Sequence, residues 1–270
     1  MKVQNKVIVV TGGGSGMGRE MVLNLLSKGA SVAAVDINEP ALRETLELAG
    51  NRNDHLSTHI VDITDKDAVA RLPEQVISQH GPVDGLVNNA GIIQPFVHVK
   101  DLDYAAIERV MNVDFYGTLH MTKAFLPHLL ERPESHIVNV SSMGGFLPVP
   151  GQSIYGAAKA AVKLFTEGLR SELQGTNVRV TVVFPGAIGT DIAANSGTDL
   201  SIESAGDGVW QVIKPLDPAK AAQIIVEGME RNRHRILVGL DSKLMDFLYR
   251  VSPKHAAGII FRLMKSLLPE

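Results

Sequence analysis

Tyr155 and Lys159 stand four residues apart in the run Ser153-Ile154-Tyr155-Gly156-Ala157-Ala158-Lys159. On a helix, that spacing puts both side chains on one face with Cβ atoms about 6 Å apart. An ammonium is then brought near a phenol. A free phenol ionises near pH 10, so about one in a thousand is charged at neutrality. A cation at about 4 Å, with an effective dielectric near 20, is worth about 4 kcal/mol, or about three pKa units. One such lysine almost closes the gap and makes the tyrosine usable as proton donor and acceptor. The same pair is common on ordinary surface helices, so its meaning rests on what surrounds it.

A second constellation is Thr11-Gly12-Gly13-Gly14-Ser15-Gly16-Met17-Gly18, after an apolar run and before a helical pattern. Lacking side chains, the glycines let the backbone turn tightly and approach a pyrophosphate, while the helix N-terminus supplies free N–H groups and a favourable dipole. This context indicates a dinucleotide site, although T-G-x-x-x-G-x-G is not the G-x-G-x-x-G spacing. Asp36 follows eighteen residues beyond Gly18. A carboxylate there accepts hydrogen bonds from ribose hydroxyls and repels a 2′-phosphate, and Ile37 stands where an arginine would have favoured NADP. NAD is the expected cofactor.

These groups need a scaffold. Short β-branched runs at Val7–Thr11, Ser31–Asp36, Leu56–Asp62, Gly85–Asn88, His136–Ser141, Val178–Phe184 and Arg235–Val238 alternate with amphipathic stretches. The helical stretches are about Met17–Lys28, Pro40–Ala49, Lys66–His80, Tyr104–Leu130, Ser153–Gln174 and Pro218–Arg231. Apolar strands with helices between them predict an α/β fold: one doubly wound domain whose parallel sheet is covered on both faces. Residues 1–240 form that expected domain. Ala187–Lys214, which carries Trp210, lacks periodicity and reads as a lid. Residues 241–270 form an amphipathic tail interrupted at Ser252-Pro253.

Composition excludes several classes. A net charge of −3 with no basic run argues against a nucleic-acid surface. The absence of cysteine removes disulfides, thiol catalysis and cysteine metal sites. The histidines are scattered, and His55 and His59 bracket a predicted strand, so no metal is expected. Neither a signal peptide nor an apolar run of spanning length is present, which makes a cytoplasmic protein the default expectation.

From about Lys6 to about Asp191 the chain resembles the short-chain dehydrogenase/reductase family. Beside the glycine loop and the Y-x-x-x-K pair, the likeness rests on Asp62-Ile63, Asn88-Asn89-Ala90-Gly91 and Asn112 within Met111-Asn112-Val113-Asp114. It rests also on Ser141-Ser142, thirteen residues before Tyr155 counted from Ser142, and on Pro185-Gly186-Ala187-Ile188-Gly189-Thr190. The resemblance implies a Rossmann-type sheet of about seven strands in the order 3-2-1-4-5-6-7. It also implies a catalytic set of Asn112, Ser142, Tyr155 and Lys159, with no departure at a catalytic position. Tyr155 would exchange a proton with the substrate oxygen while hydride passes to or from the nicotinamide. Lys159 would hold the nicotinamide ribose and lower the tyrosine pKa, Ser142 would bond the substrate oxygen, and Asn112 would hold a water behind Lys159. Gly12, Ser15, Gly16, Met17, Gly18, Asp36, Asp62, Ile63, Asn89, Gly91, Pro185, Ile188 and Thr190 would line the cofactor with Tyr155 and Lys159. The resemblance further implies a homodimer or homotetramer packed through the helix of Tyr155, where small residues permit close approach, although the same residues would also fit that helix against the sheet.

The leading expectation is an NAD-dependent enzyme interconverting a secondary alcohol and a ketone. Phe146, Leu147 and Val149 suggest a hydrophobic substrate of steroid, acyl, terpenoid or acyloin type. Two other readings stay open. One is a non-catalytic NAD-binding or interaction protein on the same fold. The other is a lipid dehydrogenase held at a membrane surface by the tail, where Lys243, Arg250, Lys254, Arg262 and Lys265 lie among apolar residues; against it stands the preferred reading of the tail as packed over the substrate mouth or at a subunit contact.

Overall fold

The first strand, β1 (Val7–Thr11), is entirely buried, and its side chains divide between two cores in strict alternation. Ile8 and Val10 enter one core and Val7 and Val9 the other. A period of two with both faces apolar is what a strand covered by helices on each side requires. The computed structural model describes residues 1–198, 214–265 and 268.

After β1 come α1 (Gly16–Ser27), β2 (Ser31–Asp36), α2 (Glu39–Ala49), β3 (Leu56–Ile60), α3 (Lys66–His80) and β4 (Gly85–Asn88). The second half holds α4 (Tyr104–Val110), α5 (Thr118–Leu130), β5 (Ser135–Val140), α6 (Ser153–Glu172) and β6 (Val178–Pro185). Then follow the short α7 (Ile192–Asn195), α8 (Pro218–Glu230), β7 (Arg235–Val238), α9 (Leu240–Val251) and α10 (Pro253–Met264). The sheet is parallel throughout, with seven strands in the order β3-β2-β1-β4-β5-β6-β7. The order reverses between β1 and β4, and a crevice opens there at the carboxyl ends of the strands.

Local chemistry explains the helix starts. Asn38 accepts the Ala41 N–H before α2, and Asp65 accepts those of Asp67 and Ala68 before α3. One core face packs Met21, Val22 and Leu25 of α1 and Ile225, Val226 and Met229 of α8 on the sheet. The opposite face packs Leu72 of α3, Phe125 and Leu129 of α5 and Leu169 of α6.

Two stretches differ from the sequence expectation. The helix expected over Tyr104–Leu130 contains a π-helical stretch at Met111–Gly117 between α4 and α5. The lid expected over 187–214 falls largely on residues 199–213, so Trp210 lies outside the described residues. At its described edges, Ile188 pairs with Leu216 in an isolated parallel bridge. The tail folds as α9 and α10, broken at Ser252 as expected. α9 is fastened to the sheet: Ser242 donates to the Phe184 carbonyl, and Asp241 accepts the Ala187 N–H at 2.6 Å.

His136 of β5 is wholly buried, its Nε2 2.8 Å from Thr181 Oγ1. Burial, with the neighbouring cations, pushes its pKa down to about 3. A base with a depressed folded pKa stabilises the fold fully above the unfolded value, near 6.5, and that stability is lost as pH falls toward the folded value. The cost approaches about 1.4 kcal/mol per pH unit within that window. We expect His136→Gln to make the acid limb of a stability–pH curve shallower by close to one proton. Urea unfolding at a series of pH values reads this directly, and an unchanged slope would refute it.

Candidate active site

The glycine loop between β1 and α1 works by absent atoms. A Cβ on Gly18 would sit 1.9 Å from the Gly12 carbonyl oxygen, so only glycine lets α1 start this close to the strand. Gly12 and Gly16 take φ of 68° and 49°, the left-handed region that glycine enters freely. The first turn of α1 holds no acidic residue, and Ser15 at its N-cap makes no side-chain capping bond, which leaves an anion-favouring helix start. Asn195 of α7 donates instead to Ser15 Oγ at 3.1 Å. Met17 is partly buried against the core.

Asp36 ends β2 beside this loop. Its two oxygens accept the N–H groups of Gly14 and Asn38, each at 3.0 Å, which orients the carboxylate. Ile37 next to it is exposed. The nearby Arg19 is turned inward to the Gly14 carbonyl and Glu44. Asn89 donates to the Thr11 carbonyl at 3.1 Å and ties the ends of β1 and β4 together. Thr190 lies against Gly16, where an added Cβ would meet its methyl at 3.1 Å. Pro185 closes β6, and Ile188 is half-buried above it. Asp62 is exposed and accepts from Thr64, while Ile63 is buried against Gly117. The glycine cradle, the helix start and the oriented carboxylate fit a dinucleotide.

The second group gathers at the ends of β4, β5 and β6. Ser142 and Tyr155 line one pocket with Ile93, Phe96, Met143, Val149 and Gly186. Burial pushes the Tyr155 phenol well above its ordinary range, the charge of Asp114 pushes the same way, and a hydrogen bond with Ser142 opposes them. Lys159 is buried, its Nζ 3.4 Å from the Val140 carbonyl and 5.8 Å from the centre of the Tyr155 ring. Ser141, the neighbour that spacing alone could confuse with Ser142, is buried and donates to the Lys159 carbonyl at 2.7 Å.

Asn112 is not part of this group. It is exposed, whereas Asp114, two residues on, is fully buried with Oδ1 3.7 Å from Lys159 Nζ. The buried face of this segment runs Val110, Asp114, Gly117, Thr118, Met121, Thr122, Phe125 and Leu129, and Asn112 falls off it. The expectation of the Asn112 amide behind Lys159 is therefore corrected to the carboxyl of Asp114. The periodicity of that face was the signal that could have found it. Gly91 makes room: a Cβ on it would lie 2.8 Å from Lys159 Nζ and 2.9 Å from Asp114 Oδ1.

Gln94 also escaped sequence reasoning. Completely buried, it accepts the N–H groups of Ile154 and Tyr155 at 2.8 and 3.0 Å and donates to the Gly151 carbonyl. It thus caps α6 from another part of the chain, where Gln152 at the N-cap makes no capping bond of its own. Asn88 is structural, donating to Asn139 and Thr122, and Asn139 in turn donates to Thr166. We expect Gln94→Ala to cost about 2 kcal/mol or more, since buried N–H groups lose their partner. Denaturant midpoints read the loss, and an unchanged midpoint would show that α6 begins independently of Gln94.

Residues 6–201 match the family model described as short chain dehydrogenase. The SadH protein of Mycobacterium tuberculosis is 38% identical over 254 residues, covering 92% of this chain and 91% of SadH. The 3-oxoacyl-[acyl-carrier-protein] reductase FabG of Thermotoga maritima is 35% identical over 192 residues, covering 70% of this chain and 77% of FabG. A short-chain dehydrogenase/reductase from Burkholderia phymatum, solved with NAD, superposes with a TM-score of 0.84 at 24% identity, covering 94% of this chain and 96% of that one. One from Burkholderia cenocepacia, solved with NADP, gives 0.80 at 24% identity, covering 96% and 99%. Sequence match and strand order agree with the residues assembled around Tyr155: the chain belongs to the short-chain dehydrogenase/reductase family of oxidoreductases.

Proposed function

We propose that this oxidoreductase interconverts a secondary alcohol and a ketone using NAD, with Tyr155 as proton donor and acceptor. The observation that carries the reading is the convergence of Tyr155 and Ser142 on an apolar pocket next to the glycine cradle. A bound nicotinamide supplies the hydride acceptor or donor. The substrate oxygen, seated between Ser142 and Tyr155, gains or loses its proton at the Tyr155 oxygen. Ser142, held by the Gly144 N–H at 3.1 Å, presents its hydroxyl to that oxygen as its charge changes. Lys159 faces the tyrosine ring and would hold the cofactor ribose. Ile93, Phe96, Met143 and Val149 make the pocket apolar and favour a hydrophobic substrate of acyl, steroid, terpenoid or acyloin type. Asp36 supports NAD over NADP, since a 2′-phosphate there would face a carboxylate already oriented by two backbone N–H groups.

A second reading, contact with a membrane surface, rests on α9. Leu240, Leu244, Phe247 and Val251 are exposed at helical spacing, with Phe261 of α10 also exposed. The inner face of this pair packs Met245 and Ile260 against Leu147, beside the pocket. Lys243, Arg250, Lys254 and Arg262 flank the stripe, as an anionic lipid surface would favour, and Asp246 is paired with Arg235 and Arg250. Among the described residues no helix is long and apolar enough to cross a membrane. On this reading the stripe rests on lipid headgroups and an apolar substrate enters from the bilayer.

Two measurements test these readings. Turnover of graded secondary alcohols and ketones should prefer NAD(H) to NADP(H) and fall about a hundred- to ten-thousand-fold in Tyr155→Phe. Retained turnover in that variant would refute the proton role, and NAD binding without turnover on any substrate would favour a non-catalytic protein. The intact chain should co-sediment with anionic liposomes, and a Leu244→Glu/Phe247→Glu variant should not. Equal sedimentation of both, or self-association through the stripe in analytical ultracentrifugation, would remove the membrane reading.

A further inference from the structure

Lys159 is seated by a carboxyl that the sequence motifs did not announce. Asp114 accepts the Ile92 N–H on Oδ1 at 2.9 Å, and the same oxygen faces the Lys159 ammonium at 3.7 Å. Its Oδ2 is enclosed and bonded to no described protein group. The ionisable groups facing it, Lys159 and Tyr155, both come from α6. The loop after β4 brings Gly91 and the Ile92 N–H, and β5 brings the Val140 carbonyl to the same ammonium. Arg109, a turn earlier, is tied to the Ser196 carbonyl, and His120, further along, to the Ile63 carbonyl.

We propose that Asp114 is a positioning residue whose carboxyl seats the Lys159 ammonium and sets, through its own charge, the pH at which Tyr155 releases its proton. The inference rests on the reading of Tyr155 as proton donor and acceptor, and deepens it.

A lone ammonium behind a phenol favours the phenolate. When the carboxyl is ionised, the pair acts on Tyr155 as a dipole, and most of the cation's field is cancelled. The raised Tyr155 pKa, to which the Asp114 charge contributes after burial, agrees with this arrangement. Burial lifts the Asp114 carboxyl to about 6, against the pull of Lys159 and the Ile92 N–H. Above that pH the carboxyl is charged, and Tyr155 stays protonated to more alkaline pH than Lys159 alone would permit.

The consequence is directional. In ketone reduction a bound reduced dinucleotide would supply the hydride of the new C–H bond, while the Tyr155 O–H bond breaks and its proton completes the alcohol. The phenolate then recovers a proton from solvent, and Asp114 undergoes no redox change. Alcohol oxidation needs the phenolate at the outset. A carboxylate at Asp114 keeps the donor form available for reduction and delays oxidation to higher pH.

Asp114→Asn tests this with little change of shape, since the amide oxygen can still accept the Ile92 N–H. The pH midpoint of alcohol oxidation should move to lower pH by about one to two units, and the alkaline limb of ketone reduction should move with it. Asp114→Ser, a second removal of the charge, should shift both the same way. Ultraviolet difference titration of the phenol, with Tyr155→Phe as the blank for the other three of the four tyrosines, should show the same displacement without turnover. A lower kcat with unmoved midpoints, or a shift to higher pH, would overturn the proposal. Retained turnover in Tyr155→Phe would instead refute the proton role itself, and the phenol titration would still decide whether Asp114 and Tyr155 are coupled.

Discussion

An ammonium enclosed by protein must be compensated, and the buried Lys159 imposes that requirement on everything around it. Taking a cation out of water costs several kcal/mol unless opposite charge and acceptors meet it. Here Asp114 supplies the charge and the Val140 carbonyl an acceptor. The approach needs space that side chains would fill. Gly91 lies between the two charged groups, and a Cβ on Gly145 would lie 2.9 Å from the Lys159 backbone. The π-helical stretch at Met111–Gly117 carries Asp114, in keeping with the frequent occurrence of such turns at functional sites. Removing one partner of such a pair typically costs about 3–5 kcal/mol, so the arrangement is structural before it is chemical.

The same helix is tied down along its length. Gln94 holds the first turn of α6, Ser141 bonds the carbonyl of Lys159, and Thr166 takes the amide of Asn139. Asn88 and Asn139 are register partners on β4 and β5, so their bonds run from α5 through the sheet to α6. These are buried polar groups bonded to one another, with only the Asn88 Oδ1 among them left without a described partner, and such networks specify one arrangement where apolar packing alone would tolerate several. Tyr155 inherits its position from them. Ser242 fixes α9 to the end of β6 and Asp241 fixes it to the turn that follows, which joins the tail to the expected cofactor wall.

Much of this was legible before folding. The seven strands, the glycine loop, Asp36 at the end of β2 and the Tyr155–Lys159 spacing are local patterns, each expressed within a few residues. β1, β2, β4 and β7 match their expected bounds, and the remaining strands differ by at most two residues at an end. Gln94 was invisible because its bonds reach 60 and 61 residues along the chain, and no local feature marks a buried glutamine as a helix cap. Asp114 was within reach of the helical periodicity, but the family motif drew attention to Asn112, which the segment exposes.

By itself, then, the sequence determined the doubly wound sheet, the dinucleotide loop and the tyrosine–lysine pair, because each depends on neighbours in the chain and on side-chain period. Tertiary structure alone decided which group stands behind Lys159, what starts α6, and how far burial and charge move the tyrosine. Those depend on desolvation and on contacts between distant segments. Both are properties of an enclosed volume, and a linear chain has none until it folds.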